Sequence, residues 1–244
     1  MFKVLLVLLM FFGVARYSQA QPQFEKDFFQ TTEGDLEITF IGHGTLMFSF
    51  QNQVIHVDPF SRLTDYSKLP KADIILLTHE HPDHLDIKAI ELIKKEGTLV
   101  IQTEECSEKT GSGIIMKNGD VQTLENMIIE AVPAYNIQHK RDNGQHFHPK
   151  GVGNGYILTF GELRIYVAGD TENIPEMADI KDIDIAFLPM NLPFTMTPEM
   201  VADAAKMVKP KILYPYHFGE TDTNDLINLL KGQKDIEIRI RKMN

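Results

Sequence analysis

The chain has 244 residues, with 24 Lys and Arg against 34 Asp and Glu, a single cysteine and a formal net charge of −10. That length suits one sizeable domain with a real core. The acidic balance argues against a non-specific nucleic-acid binder, which needs a basic footprint, and a lone Cys106 can form no internal disulfide.

Lys3 followed by the apolar run 4–14, with Ser18-Gln19-Ala20 as small cleavage-site residues, predicts a secretory signal peptide over 1–20. Its apolar core is too short to span a bilayer comfortably, and no later stretch is long and apolar enough. Removal of Lys3 and Arg16 with that segment takes the net charge from −10 to −12. The expectation is an exported protein, periplasmic or secreted. Residues 21–34 are polar and read as a loose lead-in to a domain over 35–244. Short β-type runs follow at 36–40, 45–50, 53–57 and 73–78, with Gln51-Asn52 as a hairpin turn. A helix is predicted over 86–95, where Leu85, Ile87, Ile90, Leu92 and Ile93 share a face. Cys106 lies in a polar helix or loop at 103–111 and is not read as a nucleophile. Further strands are expected at 99–102, 127–133, 155–160, 163–168, 183–188, 211–214 and 236–240. Helices are expected at 198–208, with Thr197 as cap and Pro198 in the first turn, and at 223–231. No internal repeat or linker divides the chain, and this order of elements indicates an α/β or α+β protein.

The most informative segment is His79-Glu80-His81-Pro82-Asp83-His84, directly after the apolar run Ile74 to Leu77. Packing gives no reason to crowd three imidazoles and a carboxylate at a strand end. Metal coordination does, since neutral His nitrogen and Asp oxygen are common ligands of zinc and similar ions. His79 and His81, two apart on extended chain, point the same way and can share one ion, while Asp83 and His84 can reach a second. Downstream, Gly169-Asp170-Thr171 follows a strand, and Tyr214-Pro215-Tyr216-His217-Phe218-Gly219 closes the series. Upstream stand Gly42-His43-Gly44-Thr45 and His56-Val57-Asp58-Pro59.

In this order the motifs resemble the metallo-β-lactamase superfamily, whose signature is H-x-H-x-D-H after a buried strand. The branch they resemble includes L-ascorbate-6-phosphate lactonase and many uncharacterised metal-dependent hydrolases. The resemblance runs from about residue 36 to 240 and implies a four-layer αββα sandwich. It also implies two divalent ions, zinc first, with manganese or iron as alternatives. His79 and His81 would hold one ion, Asp83, His84 and His217 the other, and Asp170 would bridge them. Asp58 would accept a hydrogen bond from a ligating histidine, Asp83 would orient water, and His43 would position substrate or donate a proton. His56 reads as structural.

One departure stands out. Where the family supplies another histidine to the first ion, this chain has Tyr135-Asn136. Asn136 is a weak positional substitute. His139, His146 and His148 follow, and His146-Phe147-His148 has the spacing to share an ion, but these read first as loop residues at the mouth of the site. The first ion would then be weak. Lys150 to Gly155 reads as a tight turn, because a strand rather than a helix follows it. Met190, Phe194, Met196 and Met200 read as core or pocket wall. The resulting expectation is a hydrolase using a metal-activated water on an ester, lactone or phosphodiester of a small molecule. The alternative is a non-catalytic metal-binding or ligand-binding module with a degenerate first site.

Overall fold

The computed structural model of the chain describes residues 24–243. The segment read as a signal peptide lies outside the described residues. Two seven-stranded sheets pack face to face, with strand orders β1-β2-β3-β4-β5-β6-β7 and β14-β13-β12-β11-β10-β9-β8.

In the first sheet, β1 (Glu25–Thr31), β2 (Gly34–Gly42), β3 (Thr45–Phe50) and β4 (Gln53–Val57) form an antiparallel meander. β5 (Ile74–Leu76), β6 (Leu99–Gln102) and β7 (Ile114–Ile115) then add in parallel. Helices α1 (Ile87–Ile93) and α2 (Glu104–Thr110) make the crossovers. The second sheet repeats the scheme. β8 (Val121–Thr123), β9 (Ile128–Ala134), β10 (Gly153–Phe160) and β11 (Leu163–Val167) are antiparallel, and β12 (Ile185–Pro189), β13 (Ile212–Tyr216) and β14 (Glu237–Ile238) are parallel. Its crossover helices are α3 (Pro198–Val208) and α4 (Thr223–Leu230). The fold is the αββα sandwich of the metallo-β-lactamases, as the motifs implied.

Local chemistry explains the elements. Gln51 and Asn52 take φ of 52° and 79°, the left-handed pair that joins two twisted strands in two residues. Thr197 accepts from the Met200 N–H at the head of α3, and Pro198 fills the first helical position. Ile74 and Leu76 face the inter-sheet core, while Ile75 and Leu77 pack with Leu85, Ala89 and Ile90 beneath α1. A strand covered on both faces reads as an unbroken apolar run.

Two differences from the sequence reading have physical causes. Residues 25–31 of the polar lead-in form a strand: β1 pairs with β2 along its whole length, and its inward side includes the charged Asp27, which hides the alternation. β7 and β8, two and three residues long, are too short for periodicity to show. Of the two readings of 103–111, helix or loop, the helix is observed: it is α2, capped by Thr103 and ended by Gly111 at φ 75°. Cys106 is buried there, and burial pushes its thiol up to about 12, in keeping with an inert residue. No helix among the described residues is long and apolar enough to cross a membrane.

Candidate metal centre

The site residues lie at the carboxyl ends of the central strands, where parallel sheets present ligands. His43 follows β2, Asp58 follows β4, His79 to His84 follow β5, Asp170 follows β11 and His217 follows β13. His43, Asp58 and His217 all adopt left-handed backbone, with φ of 50°, 45° and 49°. Non-glycine residues there cost on the order of 1 kcal/mol or more each, and such strain concentrates at functional sites. Gly44 is needed for close approach: a Cβ at this position would sit 2.8 Å from His84 Cε1.

Three overlapping groups converge: His79, His81 and His148; His43, Asp83, His84 and His217; and His79, His84 and Asp170. His79 Nε2 and His148 Nε2 stand 3.1 and 3.2 Å from His81 Nδ1. Asp170 lies between the groups, its Oδ2 3.4 Å from His148 Nε2 and 3.5 Å from His217 Nε2, its Oδ1 3.5 Å from His84 Nε2. Asp83 Oδ2 is 3.0 Å from His43 Nε2 and 3.6 Å from His217 Nε2.

His148 and Asn136 exchange the roles expected of them. Rather than standing at the mouth of the site, His148 is buried against His79 and His81. Asn136 is buried beside it and supports it. Its Oδ1 accepts from His148 Nδ1 at 2.7 Å and from the His148 N–H at 2.8 Å, and its amide nitrogen donates to Glu172 Oε1 and the Phe194 carbonyl. An amide committed to four hydrogen bonds orients His148 and leaves Nε2 facing the centre. His139 and His146 stay outside the groups.

Asp58 acts beneath the centre. It accepts from the Thr78 N–H, from the Thr78 hydroxyl and from His84 Nδ1 at 2.8, 2.6 and 2.8 Å. Thr78 Oγ1 in turn meets His79 Nδ1 at 3.0 Å, so one carboxylate fixes two imidazoles. Thr78 and Glu172 were not singled out in the sequence, although each lies within two residues of a motif residue. His56 is buried with Nε2 on the Pro70 carbonyl, a structural contact. Lys150 to Gly155 is a turn into β10, with Gly151 at φ 85°. Met190, Met196 and Met200 are core, whereas Phe194 is exposed and lines the cleft.

Electrostatics fit a cation. Burial holds His79 and His81 below the ordinary imidazole range and takes His148 down to about 4, so all three are neutral donors at pH 7. Burial opposes charge on Asp83 and Asp170 as well, yet the neighbouring imidazoles, His217 and His43 for Asp83 and four histidines for Asp170, keep both ionised. His84 is the exception: burial lowers it, but Asp170 and Asp58 prevail and raise it to about 10. Three carboxylates, Asp170, Asp58 and Asp83, around this one imidazole favour positive charge at this point. Among the described residues, His84 Nε2, His217 Nε2 and Asp170 Oδ1 are buried without a hydrogen-bond partner. Orphans of this kind are costly unless something binds them, and a mixed set of imidazole and carboxylate donors suits a divalent transition metal.

The profile of the β-lactamase superfamily domain matches residues 37–217. The chain belongs to the β-lactamase superfamily. Within it, the chain is 34% identical over 194 residues to a metal-dependent hydrolase of Lysinibacillus sphaericus, covering 75% of this chain and 85% of that one. A metal-dependent hydrolase of Archaeoglobus fulgidus is 28% identical over 232 residues, covering 85% and 96%. A crystal structure from Parabacteroides distasonis, provisionally named a metal-dependent hydrolase, superposes with a TM-score of 0.87 at 53% identity over 91% of this chain and all of that one. Igni18, a metallo hydrolase of Ignicoccus hospitalis, shares the superfamily fold with a TM-score of 0.69 at 22% identity over 85% and 95%.

Proposed function

We propose that the protein is an exported hydrolase that binds two divalent ions and cleaves an ester, lactone or phosphodiester bond in a small molecule. His79, His81 and His148 would hold one ion, Asp83, His84 and His217 the other, and Asp170 would face both. The observation that carries this reading is the convergence of orphaned His84 Nε2, His217 Nε2 and Asp170 Oδ1 beside a cleft of about 340 Å³ lined by His43, His81, Asp83 and His148. Bound ions acidify water and polarise the bond to be cleaved.

The chain's own residues supply the proton handling. Asp83 is about one-third exposed, so its ionised carboxylate reaches the cleft and accepts a proton from the attacking water. His43, paired with Asp83 and packed on His217 with ring centroids 3.7 Å apart, is placed to pass a proton to the leaving group. The position of His148 favours catalysis over a binding-only module, whose main motive was a missing histidine.

Metal content by mass spectrometry, paired with hydrolysis of bis(p-nitrophenyl) phosphate and p-nitrophenyl acetate, tests the reading. We expect close to two ions per chain and turnover that chelation abolishes and metal restores. Two ions without turnover would favour the binding module; one or none would refute the two-ion centre. Export predicts a mature N-terminus at Gln21 when the full chain is expressed, read by terminal sequencing.

A further inference from the structure

We propose that the substrate is an anion, a carboxylate or phosphate bearing an apolar or aromatic arm, and that Arg141 binds its charged group. The proposal rests on the hydrolase reading for the word substrate, but the anion site itself stands on separate observations.

The first is the distribution of arginine. Among the described residues, Arg164 pairs with Glu130 at 2.8 Å, Arg239 with Glu237 at 2.7 Å and Arg241 with Asp27 at 2.7 Å. In a chain with ten more acids than bases, an exposed guanidinium readily finds a carboxylate. Arg141 and Arg62 are the two described arginines with no ion pair, and both border the metal centre. Arg141 lines the cleft itself with His81, Asp83 and Asp170. Arg62 lies in the adjoining depression beyond His43 and Pro82.

The second is the way Arg141 is held. Its N–H donates to the Gln145 carbonyl at 2.7 Å and its own carbonyl accepts from Gly144 at 2.8 Å, so a tight turn fixes its backbone. Its guanidinium lies 5.0 Å from the Phe147 ring centroid, and Nη2 stands 3.2 Å from His81 Nε2. The charge is therefore directed at the floor of the cleft. Its polar contacts use Nη2 alone, which leaves the Nε and Nη1 hydrogens free to donate charge-assisted hydrogen bonds to carboxylate or phosphate oxygens. Beside it, Phe147 and Phe194 meet edge to face at 5.0 Å and form an apolar wall. An anionic group next to such a wall defines a substrate with a charged end near the scissile bond and an apolar arm.

The test measures binding and turnover separately. Phenylphosphonate and phenylacetate are titrated calorimetrically into the metal-loaded protein and into Arg141→Ala, Arg141→Lys and Arg62→Ala, each with its metal content measured. We expect at least one probe to bind the wild type, the Kd to rise about ten-fold or more in Arg141→Ala with unchanged metal content, and Arg141→Lys to recover part of the loss. The tighter probe then identifies the phosphate or the carboxylate class. In turnover, the KM for anionic bis(p-nitrophenyl) phosphate should rise comparably in Arg141→Ala, and by several-fold more than the KM for neutral p-nitrophenyl acetate. Failure of both probes to bind, equal Kd in wild type and Arg141→Ala, or a loss in Arg62→Ala alone would overturn the proposal. Arginine-dependent binding without turnover of any ester would uphold the anion site and remove the hydrolase reading.

Discussion

At the scale of single residues, the exchange between Asn136 and His148 is the most instructive. Side-chain type alone places Asn136 at the ligand position, because it follows the expected strand. It cannot reveal that a histidine twelve residues later returns to the same point. If His148 holds one of the two proposed ions, His148→Ala is expected to weaken that ion by more than about 100-fold, and Asn136→Ala by roughly 10- to 100-fold, the range found when the partner of a ligating histidine is removed. Competition with a chromogenic chelator measures both. Two ions held with wild-type affinity in His148→Ala would exclude it as a ligand. By contrast, His79, His81, Asp83 and His84 were legible from spacing alone, since a short run at a strand end must occupy one place however the rest folds.

At the scale of elements, the excursion between β9 and β10 depends on Glu172. This fully buried carboxylate accepts the N–H groups of Ile137, Gln138 and His139 at 2.8, 2.7 and 2.7 Å, besides the Asn136 amide. It lies two residues beyond Asp170, so the segment that carries Asp170 also pins the loop that orients His148. The Asn136 N–H closes the excursion by donating to the His148 carbonyl at 2.9 Å. Glu172→Ala leaves the buried Asn136 amide and three partly buried N–H groups without their acceptor and is expected to cost roughly 2 to 3 kcal/mol. Denaturant unfolding gives that number, and hydrogen exchange over 136–148 should accelerate selectively. Uniform exchange across the chain would instead mark a global loss. The β3–β4 hairpin and α3 were readable because their signals, Gln51-Asn52 and Thr197-Pro198, are local. The hold of Glu172 was not, since its acceptors and donors come from segments some 35 residues apart.

At the scale of the molecule, the two sheets repeat one scheme of antiparallel meander followed by parallel crossovers. The repeat places Asp58 after β4 and Asp170 after β11, the two strands where pairing changes from antiparallel to parallel. No sequence repeat announces this. The sheets are also clasped at one edge: Asp27 of β1 accepts from Arg241 Nη2 at 2.7 Å and from the Tyr214 hydroxyl of β13. Burial works against the Asp27 charge, but hydrogen bonds from Arg241 and Tyr214 hold its carboxyl below the usual 3.8. A carboxylate depressed in the folded state stabilises above its unfolded value, and that contribution drains away as pH falls below about 4. Asp27→Asn is expected to cost about 2 kcal/mol at pH 7. The gap from wild type should narrow between pH 4 and 2, measured by urea unfolding; a gap independent of pH would show that the charge of Asp27 contributes nothing. The linear order of residues determined the metal-binding motifs, most strand and helix positions and the family, because each rests on neighbours along the chain. Tertiary structure alone decided that His148 joins His79 and His81, that Glu172 and Asn136 hold it there, that Asp27 clasps the sheets and that Arg141 faces the cleft. Those contacts join residues from separate segments, and only the packing of two sheets brings them within hydrogen-bond reach.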